Sequence, residues 1–401
     1  MFNSIQLFGL VLLGGLAAGE VSRRFFALPR TTGYVVFGLF LGQSGLQWIS
    51  LEHIESAELF IDLALGLILF ELGYSVPPVS AAERKSRLWA GLSVSLVTGG
   101  AVFVVLLAWG FSLYSALFAA SLCLATSPAI TIATTSDVGA RGDKTGLLFT
   151  LVAVTGCVAF VAVAWSNSVL FDYHGAQNLS AATVASQKVF VSMLLGVACA
   201  GLVLVGAERL GKHPEHQHLL ILGTIVLGVG TSIALEISAL LPMLIFGYIT
   251  RVLDREKHVA AIRIASDARI FLVITFVLAG AALDVAVLAK YWPQALTLAL
   301  ARFAGQFVAV YLHRHRLGLS AGDSVNLAIG LQPMSSVALV LLFDIQELNS
   351  SLDPALAGTL LATILLMQLL GPFATQVSIK GFGEATRLNK ATGTGDGAAV
   401  R

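Results

Sequence analysis

The sequence predicts an all-α fold: a polytopic transmembrane protein of about thirteen helices, built as inverted repeats, with two broken helices that cross. Three observations predict it. The 401-residue chain is 57% hydrophobic and only 12% charged, with a mean hydropathy of +0.86, whereas a soluble domain carries about 25% charged residues. Its apolar residues come in blocks of about 17 to 25, the length that spans a bilayer as a helix, and basic residues sit on alternate connections between the blocks. Two blocks hold a proline in mid-span with polar side chains around it: ATSPAITIATTS (125–136) and GLQPMSSVALV (330–340).

In order, the helices are expected over 5–22, 32–49, 56–76, 88–110 and 113–136, then 146–170, 186–208, 217–233 and 236–252, then 268–289, 293–313, 322–345 and 354–378. The first block, Ile5 to Val21, is longer than a signal-peptide core and holds Glu20 near its end, so it reads as a retained helix. Arg23, Arg24 and Arg30 follow it. Arg84, Lys85 and Arg87 follow the third helix, Arg141 and Lys144 the fifth, Arg209 and Lys212 the seventh. A basic cluster from Arg251 to Arg269 follows the ninth, Arg314 and Arg316 the eleventh, and Lys380, Arg387, Lys390 and Arg401 mark the tail. The opposite connections hold only Lys290 and, near a helix start, Lys188. The positive-inside rule then puts the C-terminus in the cytoplasm and, for an odd helix count, the N-terminus outside. The expected setting is a bacterial inner membrane. Near Glu236 one helix gives way to the next, with Glu236 expected in the first turn of the second, where the helix dipole favours a carboxylate. The tail, 381–401, is small and polar and reads as disordered.

Composition argues against several classes. Cys123, Cys157 and Cys199 lie inside apolar blocks, which does not fit a disulfide scaffold. No glycine loop of the phosphate-binding kind sits at a strand–helix junction, which argues against ATP-driven transport. The net charge of +1 points to no partner, and no enzyme activity, cofactor, metal or nucleic acid is expected. HPEHQH (213–218) offers three imidazoles, but its tight, proline-broken spacing reads as a solvated loop rather than a metal site.

The two prolines carry the functional signal. A mid-helix proline removes a donor and clashes with the carbonyl one turn earlier. In lipid the freed backbone groups need protein, water or ions as partners. Thr126 and Ser127 flank Pro128, and Gln332, Ser335 and Ser336 flank Pro333. A single such break is a kink patched by hydroxyls. Two of them seven helices apart point to a secondary transporter with inverted repeats, whose half-helix ends face each other near the midplane.

With these breaks in place the chain resembles the monovalent cation/proton antiporter superfamily, which includes sodium/proton exchangers. The resemblance runs over about residues 5 to 378 and rests on an ordered set: LPRTTGYVVFGLFLGQSGL (28–46), DLALGLILFELGYSV (62–76), CLATSPAITIATTSD (123–137), FVLAGAALDVAVL (276–288), ARFAGQFVAVYL (301–312) and GLQPMSSVALVLL (330–342). It implies a transport core, about 88–170 and 293–378, that moves like an elevator. It also implies a dimer-forming part, about 5–76 and 217–289, a linker helix over 186–208, and a homodimer in the bilayer that handles monovalent cations and protons.

The chain departs from the family pattern where the family carries an acidic residue or an Asn–Asp pair. The matching segment, LVAVTGCVAFVAVAW (151–165), has no acid, and Thr155 and Gly156 stand in that place. Gln306 stands where members often carry a lysine. Losing both together is what electrostatics favours, because removing one partner strands a buried charge. Three ionisable groups remain within the spans: Asp62, Glu71 and Arg302. Arg302 lies too deep to snorkel, so it either biases the field of the site or clamps carbonyls. Glu71 is either the replacement proton carrier or a structural residue near the interface, and Asp62 reads as solvated.

Three functions compete. In the first, Na⁺ or K⁺ exchanges for protons, with Thr126, Ser127, Thr155, Gln332, Ser335 and Ser336 around the ion and Glu71 protonating. In the second, the same scaffold moves an ion, an anion or an organic solute without protons. In the third, the chain is a sensor or partner subunit that transports nothing.

Overall fold

The computed structural model describes residues 4–50, 53–54, 57–173, 180–210, 214–254, 264–335, 338, 341–342 and 353–385. Among the described residues it is all-helical, with no strand. The helices are α1 (Ser4–Phe26), α2 (Arg30–Leu41), α3 (Glu58–Ser75), α4 (Ala81–Ala108), α5 (Leu113–Leu122), α6 (Pro128–Val138) and α7 (Asp143–Tyr173). They continue as α8 (Ser180–Leu210), α9 (Pro214–Ala234), α10 (Leu240–Leu253), α11 (Ile264–Ala281), α12 (Val285–His313), α13 (Ala321–Gly330) and α14 (Pro354–Phe382). Six of them are long and apolar enough to cross a membrane alone.

Sequence-local chemistry starts most of these helices. Ser80, Ser112 and Ser127 accept from backbone N–H groups in the first turns of α4, α5 and α6, and Asp284 and Asp353 do the same for α12 and α14. Ser320 and Asp323 form a reciprocal capping box on α13. Prolines stand at the starts of α6, α9 and α14, where the missing N–H has no helical partner to lose.

Several expected boundaries are corrected. The fifth helix is two, α5 and α6, parted at Cys123–Ser127. The second stops at Leu41, because Gly42 and Gly45 let the chain fold into tight turns up to Ile49. The tenth stops at Ala281, and α12 starts at Val285 rather than at Pro293, because the Asp284 carboxylate caps it. Pro293 is accommodated inside α12 by a kink at Tyr291. Glu236 is not in a helical first turn: it sits exposed between α9 and α10 with φ +51°. The described part of HPEHQH opens α9 and is not a loop. The start of the tail is ordered. α14 runs to Phe382, Gly383 caps it in the left-handed region, and the Glu384 carboxylate accepts from Lys144 N, Thr145 N and Thr145 Oγ1 at the start of α7. The rest of the tail, 386–401, lies outside the described residues.

The packing repeats itself in inverted form. α2 lies against α11, and α3 against α10. The second pair is the image of the first when spans are matched seven apart. Both contacts are backbone on backbone. A Cβ on Gly38 would overlap the Val277 carbonyl and one on Gly280 the Val35 carbonyl; one on Gly247 would overlap the Phe70 carbonyl and one on Gly73 the Leu244 carbonyl. Such close approach is how helices gain dispersion contact where lipid is as apolar as the side chains.

The helices group into two bodies. α1–α3 and α9–α11 pack together, and so do α4–α7 with α12–α14, while α8 lies on α9 and α10 and touches α7. The second body has its own apolar core, including Leu106, Phe118, Leu122, Leu298 and Leu360. An ion pair crosses between the bodies: Asp137 on α6 accepts from the Arg30 backbone N–H at 3.1 Å and faces its guanidinium at 3.5 Å.

The glycine contacts make a stability prediction. Gly247→Ala forces a Cβ into the Phe70 carbonyl and lowers stability by about 1–3 kcal/mol, the usual cost of overpacking. Gly230→Ala, inside α9, meets nothing within 4 Å and keeps stability or raises it by up to about 1 kcal/mol, the helix preference of Ala over Gly. Thermal melts of the detergent-solubilised variants, followed by size exclusion, check both.

Candidate functional site

The site is built where the chain cannot stay helical. Pro128 would clash with the carbonyl of Leu124, so α5 ends early and Pro128 becomes the first residue of α6. In the other repeat α13 ends at Gly330, and Leu331–Ser335 run without helix before Ala338. The two unwound stretches meet antiparallel. Ser127 N donates to Pro333 O at 2.9 Å, and Ser335 N donates to Ala125 O at 3.1 Å, with Thr126 opposite Met334. Proline is tolerated here because only its carbonyl is used. Thr126 and Met334 form the pair that exchanges no bond, so their own peptide groups point away from each other into the flanks of the crossing.

α12 closes the crossing from one side. Arg302 and Gln306 lie one helical turn apart on the same face. Arg302 Nε donates to Cys123 O and Nη1 to Gln332 O, each at 2.7 Å. Gln306 Nε2 donates to Leu331 O at 3.0 Å, and Gln332 Nε2 donates to Gln306 Oε1. These acceptors are the carbonyls left over at the C-terminal ends of α5 and α13. Each such end carries about −0.5 charge, so one guanidinium balances the two. Arg302 is 0% exposed, and its Nη2 has no partner among the described residues. Gly305, between the two polar residues, lets α12 approach the α4 backbone at Thr98.

α7 closes the other side. The hydroxyls of Thr155 and Thr126 are 2.8 Å apart, and Thr155 Oγ1 also donates to Leu151 O at 2.8 Å. Gly156 is buried, yet a Cβ placed on it would find no atom within 4 Å, so open space adjoins it. Ser127 Oγ caps α6 by accepting from Ile130 N.

Of the residues expected at the site, Thr126, Ser127, Pro128, Thr155, Gln306, Gln332, Pro333, Ser335 and Arg302 come together here, with Gly156 next to Thr155. Ser336 lies outside the described residues. Glu71 is not at the crossing. It is half-buried on α3 and lines a separate cavity of ≈ 250 Å³ between the two bodies, with Arg30, Tyr34, Ser136 and Asp137. Asp62 is half-buried in the second turn of α3.

Sequence reasoning missed two residues. Gln368 on α14 is 3% exposed, and neither of its amide atoms has a partner among the described residues. It stands one turn from Gly371, which packs on Pro333. A lone glutamine in the apolar run LLMQLLGPF was the available signal. Asp137, at the end of α6, joins the two bodies, and its partner could not be foreseen from α6 alone.

A helical membrane bundle with inverted repeats and two unwound helices crossing at a polar core is the architecture of a secondary transporter. The model of the transmembrane sodium/hydrogen exchangers matches residues 8–377, and the chain belongs to that family. Among solved structures it is similar to the sodium proton antiporter MjNhaP1 from Methanocaldococcus jannaschii at pH 8, with a TM-score of 0.65 and 22% identity over 95% of this chain and 99% of that one. An electron-microscopy map of the same antiporter gives a TM-score of 0.64 and 21% identity over 95% and 98% of the two chains. A comparison with curated proteins finds no match.

The clamp gives a testable outcome. Arg302→Met strips the acceptors' donors from two buried helix ends, and each charged hydrogen bond is worth about 1.5–3 kcal/mol. The variant should melt at least about 5 °C lower or fail to emerge as a single species on size exclusion. A melt equal to the native one would mean that the helix ends do not depend on Arg302.

Proposed function

We propose that this chain exchanges a monovalent cation, Na⁺ or K⁺, for protons, with the crossing as the cation site and Glu71 as the proton-carrying group. One observation carries the reading. Glu71 lies on a cavity whose walls come from both bodies: α1, α2, α3 and α11 on one side, and α6 on the other, with Arg30, Ser136 and Asp137 as polar groups in a mostly apolar lining. A carboxylate there changes its surroundings whenever the bodies slide. That is the requirement for a group that must hold a proton in one state and release it in another.

The crossing supports a cation over an anion. Its oxygens are hydroxyls and backbone carbonyls, the ligands that unwound transporter helices offer to Na⁺. Its one cation, Arg302, commits Nε and Nη1 to two backbone carbonyls and leaves only Nη2 without a partner among the described residues. The elevator mode belongs to the same proposal: the body holding the crossing moves against α1–α3 and α9–α11, which pair two chains into a homodimer. The alternating basic residues support an N-terminus outside and a C-terminus in the cytoplasm of a bacterial inner membrane.

A second reading is favoured by the space at Gly156. Where the family holds a carboxylate, this chain holds a void, and the positive end of α6 faces the crossing without an acid. That arrangement suits an uncharged or anionic solute moved without protons.

Two substitutions separate the readings on solid-supported membranes loaded with proteoliposomes. Glu71→Gln should leave a folded protein whose cation-evoked current no longer varies with pH. Unchanged current and unchanged pH response would remove Glu71 from the mechanism and leave the second reading in place. Gly156→Asp has room for its side chain and should strengthen pH-dependent Na⁺ uptake at least about tenfold, one order being 1.4 kcal/mol of affinity. Under the second reading the same change abolishes transport.

A further inference from the structure

Away from the crossing, a cleft of ≈ 580 Å³ opens between α4 and α7 on one side and α10 with the turn after α3 on the other. Its walls are mostly apolar, from Leu88, Leu92, Val154, Val158, Leu244 and Ile245. Arg84 and Arg87 line its mouth. Both stand in the first two turns of α4, which starts at Ala81, at the end of the bundle marked by basic residues.

Arg87 is the unusual group. It is 7% exposed. Its Nη2 is taken by Glu83, a half-exposed carboxylate one turn earlier, and its Nη1 is buried with no partner among the described residues. A buried N–H of a charged group left without an acceptor costs about 1–3 kcal/mol or more. An anion at the mouth would remove that cost, and Arg84 would share the charge. With Glu83 counted, the mouth keeps one net positive charge.

The rest of the cleft decides what kind of anion. Arg84, Leu88 and Leu92 are spaced four residues apart, so they form one stripe along α4. The stripe runs about 12 Å from charge into hydrocarbon. A free phosphate uses only the upper end of it. A molecule with an anionic head and an acyl chain uses all of it, and basic pockets between membrane helices are where such headgroups bind. We propose that this cleft binds one anionic phospholipid, its phosphate on Arg84 and Arg87 and one acyl chain between α4, α7 and α10. The lipid then touches both bodies across the gap where they meet, so its occupancy and their relative position are coupled. This holds whichever ion or solute the crossing carries.

Native Cys157 reports on the cleft: it lines the wall and is half-buried, whereas Cys123 and Cys199 are buried. The experiment follows the reaction of Cys157 with N-ethylmaleimide by mass, on the delipidated full-length protein in detergent. Phosphatidylglycerol should slow it at least fivefold, while phosphatidylcholine and inorganic phosphate change it less than twofold. In the R84Q/R87Q protein phosphatidylglycerol should no longer protect. Native mass spectrometry gives a second reading that needs no reaction: one phosphatidylglycerol is retained by the native chain and lost from R84Q/R87Q. Leu88→Trp keeps both arginines but fills the slot, and should lose the lipid too. Equal effects of the two lipids, or retention of phosphatidylglycerol by R84Q/R87Q or by Leu88→Trp, would overturn the proposal. Protection by inorganic phosphate alone would also overturn it, in favour of a soluble anion.

Discussion

The carbonyl ends of α5 and α13 meet in the buried interior of the helical bundle, and the guanidinium of Arg302 takes one carbonyl from each. The rest of the core is arranged around this contact. Two helices can stop in mid-bilayer only if their freed carbonyls are satisfied. Gln306 and Gln332 extend the same service by one residue, and Gly305 brings α12 close enough for both side chains to reach. The antiparallel pairing of Ala125–Ser127 with Pro333–Ser335 then uses backbone groups that neither half-helix can use.

This balance shapes the functional reading. The negative helix ends are compensated within the protein, so Arg302 is structural first. Among the described residues no acid stands at the crossing, and the space beside Gly156, next to Thr155, is open. A carboxylate does occur at the boundary of the two bodies, where Glu71 and Asp137 share a cavity. The Arg30–Asp137 pair bridges the same boundary. Under the proposed function the cation site and the proton-carrying group are separate, and their coupling would be a matter of body position rather than of competition for one side chain.

Much of this was legible in the sequence, and what was not has physical reasons. Pro128 and Pro333 announced the breaks because proline acts locally. Thr155 and Gly156 were placed by the resemblance, and the first lands on Thr126. The depth of Arg302 was readable and a carbonyl clamp was one of its two readings, but which carbonyls it takes was not, because no side-chain pattern reveals them. Pro293 misled because proline is favoured at a helix start, whereas here Asp284 caps the helix nine residues earlier and a kink absorbs the ring. The ordered start of the tail was hidden because Glu384 finds its partners on α7, some 240 residues away. Gln368 and Asp137 act through neighbours that only the assembled fold supplies.

The central question is whether a crossing without an acid still exchanges cations for protons. The direct measurement is internal pH in proteoliposomes holding the purified protein, with the membrane potential clamped and a Na⁺ or K⁺ gradient imposed. The account predicts that internal pH moves as protons travel opposite to the cation, and that the change vanishes without the gradient. Cation flux with no change in internal pH would contradict it.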